Sequence, residues 1–466
     1  MLQFYDQIKS KQGFVDLHVH TNDSYGIEYN SMNLTPEELL ESVYLYTEKN
    51  NCPATFALTD HNNINGNKKI LDIINSDKEK YKNVHFIPGC EFTCNAASLG
   101  TIINSEGHIK SIFSKFHVLA YGFDVNNEGL LFLSKLHSTE FKNIITVKTN
   151  KGKLSVSAGA YVMAIKVILK DHGYDFPLSS FYDVNLTTIG FKEQTYINYL
   201  LKYIKKFALP EDVMSEIEIQ LQKRNLIDLG RVDVMEVMNL VESAGGHCVL
   251  AHPALLKVGK TAINSWPDIL KKLRPYFRAN NIIIANENDF GEVAIKYATH
   301  RLSKNASYHG KKLNGIVGIE ALHYTSMTDF KRLNAILTSA KHGKLYLTCG
   351  SDAHGELKKS MLSRFMSEKD MEDDSYNNVV CNKCLFADKI LDGSIKENLT
   401  CEVPIVNQFE FLGTYNEKET KISLKDLYEH AKNGQLIGKI KTGQHLSEAN
   451  HAVSDSGHVQ DTGMLR

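Results

Sequence analysis

Histidine, aspartate and glutamate recur in this sequence at the ends of short apolar runs, and these side chains hold divalent metals. His18 and His20 stand in DLHVHT, at the end of the run Phe14–His18. Asp60 and His61 follow Thr55–Thr59, Glu91 follows Val84–Pro88, His117 lies in Phe116–Tyr121 and His252 follows Gly246–Ala251. Asp352 and His354 follow Lys344–Cys349. Singly each is weak: a His-x-His pair is commonly a surface accident, and Asp60-His61 reads equally well as a turn and helix cap. Their repeated fall at strand ends is the signal. One catalytic zinc takes three or four protein ligands. A larger set implies two or three ions sharing carboxylates, with Glu91 and Asp352 the natural bridges. Two ions about 3.5–4 Å apart acidify a bridging water and clamp phosphoryl oxygens during displacement. The expected chemistry is therefore hydrolysis of a phosphate ester by a metal-activated water. His20 and His354 are candidates to protonate the leaving oxygen, and Asp60 is grouped with them as catalytic. No Ser-His-Asp or Cys-His arrangement is evident.

Such residues need a scaffold that brings many strand ends to one face. The carboxyl ends of parallel strands in a barrel or wound sheet do this. The strand-like runs alternate with helical patterns, which predicts an α/β architecture with a parallel sheet or barrel. Thr35-Pro36-Glu37-Glu38 opens one helix with the elements of a capping box. Further helices are expected at Ala160–Leu169, Gln194–Phe207, Val234–Ser243, Pro267–Tyr276 and Glu292–Leu302. The expected division is a first barrel part at 14–124, a helical insertion at 125–243 and a second barrel part at 244–360. A C-terminal extension at 361–440, with a helix near Leu424–Asn433, and a flexible tail at 441–466 complete it.

Bulk composition narrows the class without choosing the reaction. Of 466 residues, 42% are hydrophobic and 23% charged, as in globular proteins generally. With 53 Lys and Arg against 54 Asp and Glu the net charge is −1, which supplies no overall attraction for nucleic acid or membrane. The eight cysteines are scattered, a reducing-compartment pattern. The start MLQFYDQIKSKQG carries no apolar core of signal-peptide length, no run approaches a membrane span, and the expected location is the cytoplasm.

The motifs in order are DLHVHT (Asp16–Thr21), LTDHNN (Leu58–Asn63), PGCEFT (Pro88–Thr93), FHVLAYG (Phe116–Gly122), VLAHPA (Val249–Ala254) and GSDAHG (Gly350–Gly355). This series resembles the PHP family, named for polymerase and histidinol phosphatase domains. The resemblance implies a distorted (β/α)7 barrel, here with a helical insertion and a C-terminal extension, and two or three divalent ions (Mn2+, Zn2+ or Fe2+). It implies that His18, His20, Glu91 and Asp352 hold one ion, and Glu91, His117 and His252 a second. His61 and His354, with shared Asp352, would serve a third. The layout is most similar to the trpH-like branch, whose members hydrolyse phosphates from nucleotides and short oligonucleotides. That branch carries Ser-Asp-Gly shortly after His-x-His, where this chain has Ser24-Tyr25-Gly26. Arginines of the insertion grip phosphate in that branch, and Arg231 is the candidate here.

The expected substrate is a phosphorylated small molecule, a nucleotide or a short nucleic acid end. The alternatives are an exonuclease-like phosphodiesterase, or a regulatory module whose metals are structural. Hydrolysis of a C–N bond is a third option. Protein partners would engage residues 361–466. Glu320 and His323, at the end of another strand-like run, read equally well as residues that contact substrate or support the ligands and as structural residues. His323 is taken as a substrate-binding candidate. Cys381 and Cys384 read as a pair of reduced cysteines in preference to half a zinc site.

Overall fold

The structure is a computed structural model. It describes residues 13–25, 34–103, 109–138, 140–149, 152–188, 192–223, 231–258, 266–323, 330–354, 380–381, 384–395, 410–413 and 420–423. The helix expected near Leu424–Asn433 and the tail from 441 lie outside these residues.

Strand β1 (Phe14–Val19) is buried at every position, as is β2 (Ala54–Leu58). Continuous burial is the mark of strands covered on both faces. With β3 (Val84–Thr93), β4 (His117–Tyr121), β5 (His247–Leu250), β6 (Ile316–Leu322) and β7 (Tyr346–Cys349) they form one curled sheet. The spatial order is β7-β6-β5-β4-β3-β2-β1. The upper end of the curl is drawn together where β7 runs on past β1. Val19 and Ala353 form a parallel bridge, Asp352 N–H donates to His18 O at 2.7 Å, and His20 N–H donates to Ala353 O at 2.9 Å. Lower down, Val15 of β1 pairs instead with Cys381 of a short antiparallel strand, which leads on to strands Glu410–Gly413 and Thr420–Ser423. The result is a seven-stranded half-barrel with one split seam.

The parallel expectation holds for β1–β2–β3 and for β5–β6–β7, and fails at β4. This strand runs antiparallel to both β3 and β5. A parallel neighbour requires a crossover, usually helical. Between Thr93 and His117 the described chain has only a 3-10 turn and short strands.

The helices pack outside the sheet. Helix α1 (Pro36–Asn50) starts with the expected box: Glu38 N–H donates to Thr35 Oγ1 at 3.1 Å, and Thr35 N–H to Glu38 Oε2 at 2.9 Å. Helix α2 (Asn65–Ser76) follows β2. The region from 125 to 243 carries α3 (Glu128–His137), α4 (Ala158–Asp171), α5 (Glu193–Ile204), α6 (Glu211–Lys223) and α7 (Val234–Ser243). It also carries a hairpin that the helical reading missed, pairing Ile144–Thr149 with Gly152–Ser157. The alternation in ITVKT and KLSVS is its sequence signal. Helices α8 (Trp266–Ala279), α9 (Phe290–Lys304) and α10 (Phe330–Gly343) occupy the intervals between β5, β6 and β7. Among the described residues no helix is long and apolar enough to cross a membrane.

Helix α11 (Leu385–Leu391) belongs to the chain beyond the last motif, yet it enters the main core. The Phe386 ring is fully buried, its centroid 5.4 Å from that of Tyr121 and 5.8 Å from that of Tyr346. Tyr121 ends the reversed β4 and Tyr346 begins β7, so Phe386 closes the end of the sheet opposite the motif residues. Phe386→Ala is expected to cost about 3–5 kcal/mol of stability. Urea unfolding of the full chain checks this, and an unchanged midpoint would refute the role.

Candidate metal centre

His18 lies near the end of β1 and His20 just past it, and both side chains enter the same group of converging donors. The remaining donors reach the cluster by three routes. Glu91 lies within β3, and His61 is bridged to it just beyond β2. His117 is the first residue of β4 and pairs with Thr93 near the end of β3. Reversal of β4 is therefore what lifts a strand-initial histidine to the level of strand-terminal ones. His252, Asp352 and His354 follow β5 and β7.

Two of these turns carry left-handed backbone at non-glycine residues: φ is +50° at Asp352 and +20° at His252. Such conformations cost energy and cluster at functional sites. Close approach is needed as well: a Cβ added at Gly350 would lie 2.1 Å from His18 Cβ.

Glu91 is the hub. Its Oε1 lies 2.5 Å from His117 Nδ1 and 2.7 Å from His252 Nε2. Its Oε2 lies 3.1 Å from His61 Nδ1, 3.2 Å from His18 Nε2 and 3.3 Å from His20 Nε2. Asp352 Oδ1 is 3.1 Å from His20 Nε2 and 3.4 Å from His18 Nε2. Burial alone would raise the Glu91 carboxyl, but the facing imidazoles of His61, His117 and His18 overcome it and hold the group well below the usual range. Asp352 is likewise held well below its ordinary value against the effect of burial, by His18 and His354 foremost. Burial pushes His61 well below the ordinary imidazole value and takes His354 down to about 3. A neutral imidazole is the ligating form.

The donor set fits divalent metal. Three groups converge with their ligand atoms within 4.8 Å of one another: His18, His20, Glu91 and Asp352; His61, Glu91 and His117; and His20, His61 and His354. His252 joins the second through Glu91 and lies 3.3 Å from His117 Nδ1. Neither ring nitrogen of the buried His20 has a hydrogen-bond partner, nor does Asp352 Oδ1, although His20 Nε2 and Asp352 Oδ1 stand 3.1 Å apart. Buried polar atoms are ordinarily paired, and atoms that face a common point without bonding each other are suited to a shared cation. Every residue expected as a ligand is thus in the cluster.

The other expected site residues fall elsewhere. Asp60 is fully buried and accepts from Thr21 N–H at 2.6 Å, Thr21 Oγ1 at 2.7 Å and Ser24 Oγ at 2.9 Å. Burial raises it to about 6, with the Thr21 bonds opposing. Both its oxygens hold the loop after His20, and no converging donor group includes it. His323 has no exposed surface, and its Nε2 meets Asp352 Oδ2 at 3.1 Å, so it supports a ligand from behind. His354 Nδ1 donates to the Asp352 carbonyl at 2.7 Å, which leaves Nε2 as the electron-pair donor. Arg231 sits on a segment bridged to the chain just past β3 through Asn95 and Asp233, and it is partly exposed. Its positive charge adds to burial in lowering His117, one of the more exposed ligands.

Glu320, in β6, has a larger part than its sequence suggested. Its Oε1 is 2.9 Å from His18 Nδ1, and Oε2 accepts from His252 N–H at 2.6 Å. An acidic residue near the end of an apolar strand was the available signal. Cys384 is buried with Sγ 3.9 Å from Leu347 O, and among the described residues no cysteine joins a metal-type cluster.

No protein-family model matches the chain, and no curated protein matches it. Among solved structures it is similar to a candidate metal-dependent phosphoesterase from Bifidobacterium adolescentis, at 18% identity and a TM-score of 0.33, over 74% of this chain and 89% of that one. It is also similar to an amidohydrolase from Chromobacterium violaceum, solved with sulfate and without metal, at 17% identity and a TM-score of 0.33, over 73% of this chain and 88% of that one.

Proposed function

We propose that this chain is a cytoplasmic metal-dependent phosphoesterase with a distorted (β/α)7 barrel of the PHP type. Its substrate is a nucleotide, an oligonucleotide end or a small phosphorylated metabolite. The observation that carries the reading is Glu91, a buried carboxylate with five imidazole nitrogens within 3.3 Å.

His18, His20, Glu91 and Asp352 would hold one ion, and Glu91, His117 and His252 a second. His61 and His354, with Asp352, would serve a third. The ions would supply a phosphoryl-oxygen clamp and an acidified water at neutral pH. His18, in β1, and His20, just past its end, would present their lone pairs to the same ion. His354, with its Nδ1 proton directed at the Asp352 carbonyl, acts through Nε2 as a lone-pair donor. Asp60 keeps the loop that follows His20 in place. Arg231, whose charge is felt at His117, would meet the substrate phosphate, as a guanidinium fork suits. The balanced net charge of −1 favours a small substrate over a long polyanion.

The test is turnover by the manganese-loaded protein of a phosphomonoester, a phosphodiester and a 3′,5′-bisphosphonucleotide, beside a His18→Ala/His20→Ala double variant. Turnover of at least one substrate is expected, lost on chelation and in the variant. Equal activity in the variant would sink the assignment of the centre. Bound metal with no turnover of any of the three would favour the regulatory reading.

A further inference from the structure

Glu320 is buried in β6 with no exposed surface, and each of its carboxylate oxygens is directed at a different ligand. Oε1 faces His18 Nδ1 at 2.9 Å, and the other nitrogen of that ring faces Glu91 Oε2 at 3.2 Å and Asp352 Oδ1 at 3.4 Å. A carboxylate accepts only, so the proton of a neutral His18 resides on Nδ1 and Nε2 keeps its lone pair toward the cluster. Oε2 accepts from the backbone N–H of His252 at 2.6 Å, at the residue whose φ is +20°. Strained backbone of this kind persists only where its surroundings hold it.

We propose that Glu320 is a positioning residue that couples the two halves of the centre, fixing the His18 tautomer with one oxygen and the turn that carries His252 with the other. His18 belongs to the group containing His20 and Asp352, and His252 meets Glu91 beside His117. One buried carboxylate thereby sets the geometry on both sides of Glu91. The inference rests on the metal-centre reading given above.

Glu320→Gln keeps the volume and removes one acceptor. If the amide oxygen stays on His252 N–H, the NH2 group faces His18 Nδ1. The ring must then accept there and carry its proton on Nε2, the atom that should ligate. Zinc affinity of the full chain, measured by titration of the metal-free protein, is expected to fall about 10- to 100-fold. In the zinc-loaded protein, the 15N imidazole signals assigned to His18 by their loss in His18→Asn should change to the Nε2–H form.

Unchanged zinc affinity and unchanged His18 signals would overturn the proposal. So would a lowered urea midpoint of the metal-free chain with unchanged affinity, since that is the signature of a merely structural carboxylate. If Glu320→Gln does not fold, Glu320→Asp serves the same purpose, because its shorter arm cannot span both partners and should weaken zinc binding likewise. A wild-type chain that binds no zinc would overturn the metal-centre reading itself, whereas normal wild-type binding unaltered in the variants defeats only the role of Glu320.

Discussion

Glu91→Gln should abolish tight metal binding and lower kcat/KM by roughly 10^3-fold or more, a loss of about 4 kcal/mol in transition-state stabilisation. The reason is the position of Glu91 between the groups of donors. Oε1 faces His117 and His252, and Oε2 faces His18, His20 and His61. An amide in its place supplies one acceptor, no charge and a pair of N–H donors aimed at imidazole lone pairs. It cannot bridge two cations. Nor can a neighbour substitute, because Asp352 is already directed at His18, His20 and His323. Elemental analysis after dialysis, with kinetics on whichever phosphoester the wild type turns over, decides the matter. A variant that retains its full complement of metal and near-normal kcat/KM would show that Glu91 does not bridge. Far-ultraviolet circular dichroism should stay close to that of the wild type, since the side chain changes by one atom and leaves β3 paired on both sides.

Gly350→Ala is expected to damage the centre without touching a ligand. The added Cβ would meet His18 Cβ at 2.1 Å, His18 N at 2.8 Å and His18 Cα at 2.9 Å. These are atoms of a buried strand, not the end of a flexible side chain, so β1 and the turn after β7 must separate. Overpacking of this sort costs typically 1–3 kcal/mol, and more where backbone must move. The larger consequence is for geometry. The contact lies beside the hydrogen bonds from Asp352 N–H to His18 O and from His20 N–H to Ala353 O, which set β1 against the turn carrying Asp352. A displacement near 1 Å at such a seam costs on the order of 10^2-fold in rate. The expected result is a lower melting temperature together with metal affinity reduced beyond what instability explains. A variant with wild-type melting and wild-type metal content would refute the close-approach argument.

Much of the site was legible in the chain because its signals are local. The His-x-His spacing keeps His18 and His20 close together whatever surrounds them. A strand buried on both sides is mostly apolar and turns polar where it leaves the sheet, so Asp60-His61, His252 and Asp352-Ala353-His354 advertise their positions. The Thr35–Glu38 box is legible for the same reason, since its two bonds join residues three apart. The features that escaped depend on partners distant in sequence. Nothing within Phe116–Tyr121 records the direction of its neighbours. The position of Asp60 on Thr21 and Ser24, and of His323 behind Asp352, likewise arises from pairings that span many residues.

Residue types and their spacing by themselves determined that this protein has several strand ends loaded with imidazole and carboxylate, and hence a capacity for metal chemistry. Tertiary structure alone decided that β4 is reversed, bringing His117 to the common rim, and that α11 closes the opposite end with Phe386. It also decided that one carboxylate, Glu91, stands among five imidazoles while another, Glu320, holds two of the ligands in place. The physical reason is that local periodicity is written into each segment's own side chains, whereas strand direction and side-chain convergence emerge only when distant segments exchange hydrogen bonds and bury one another.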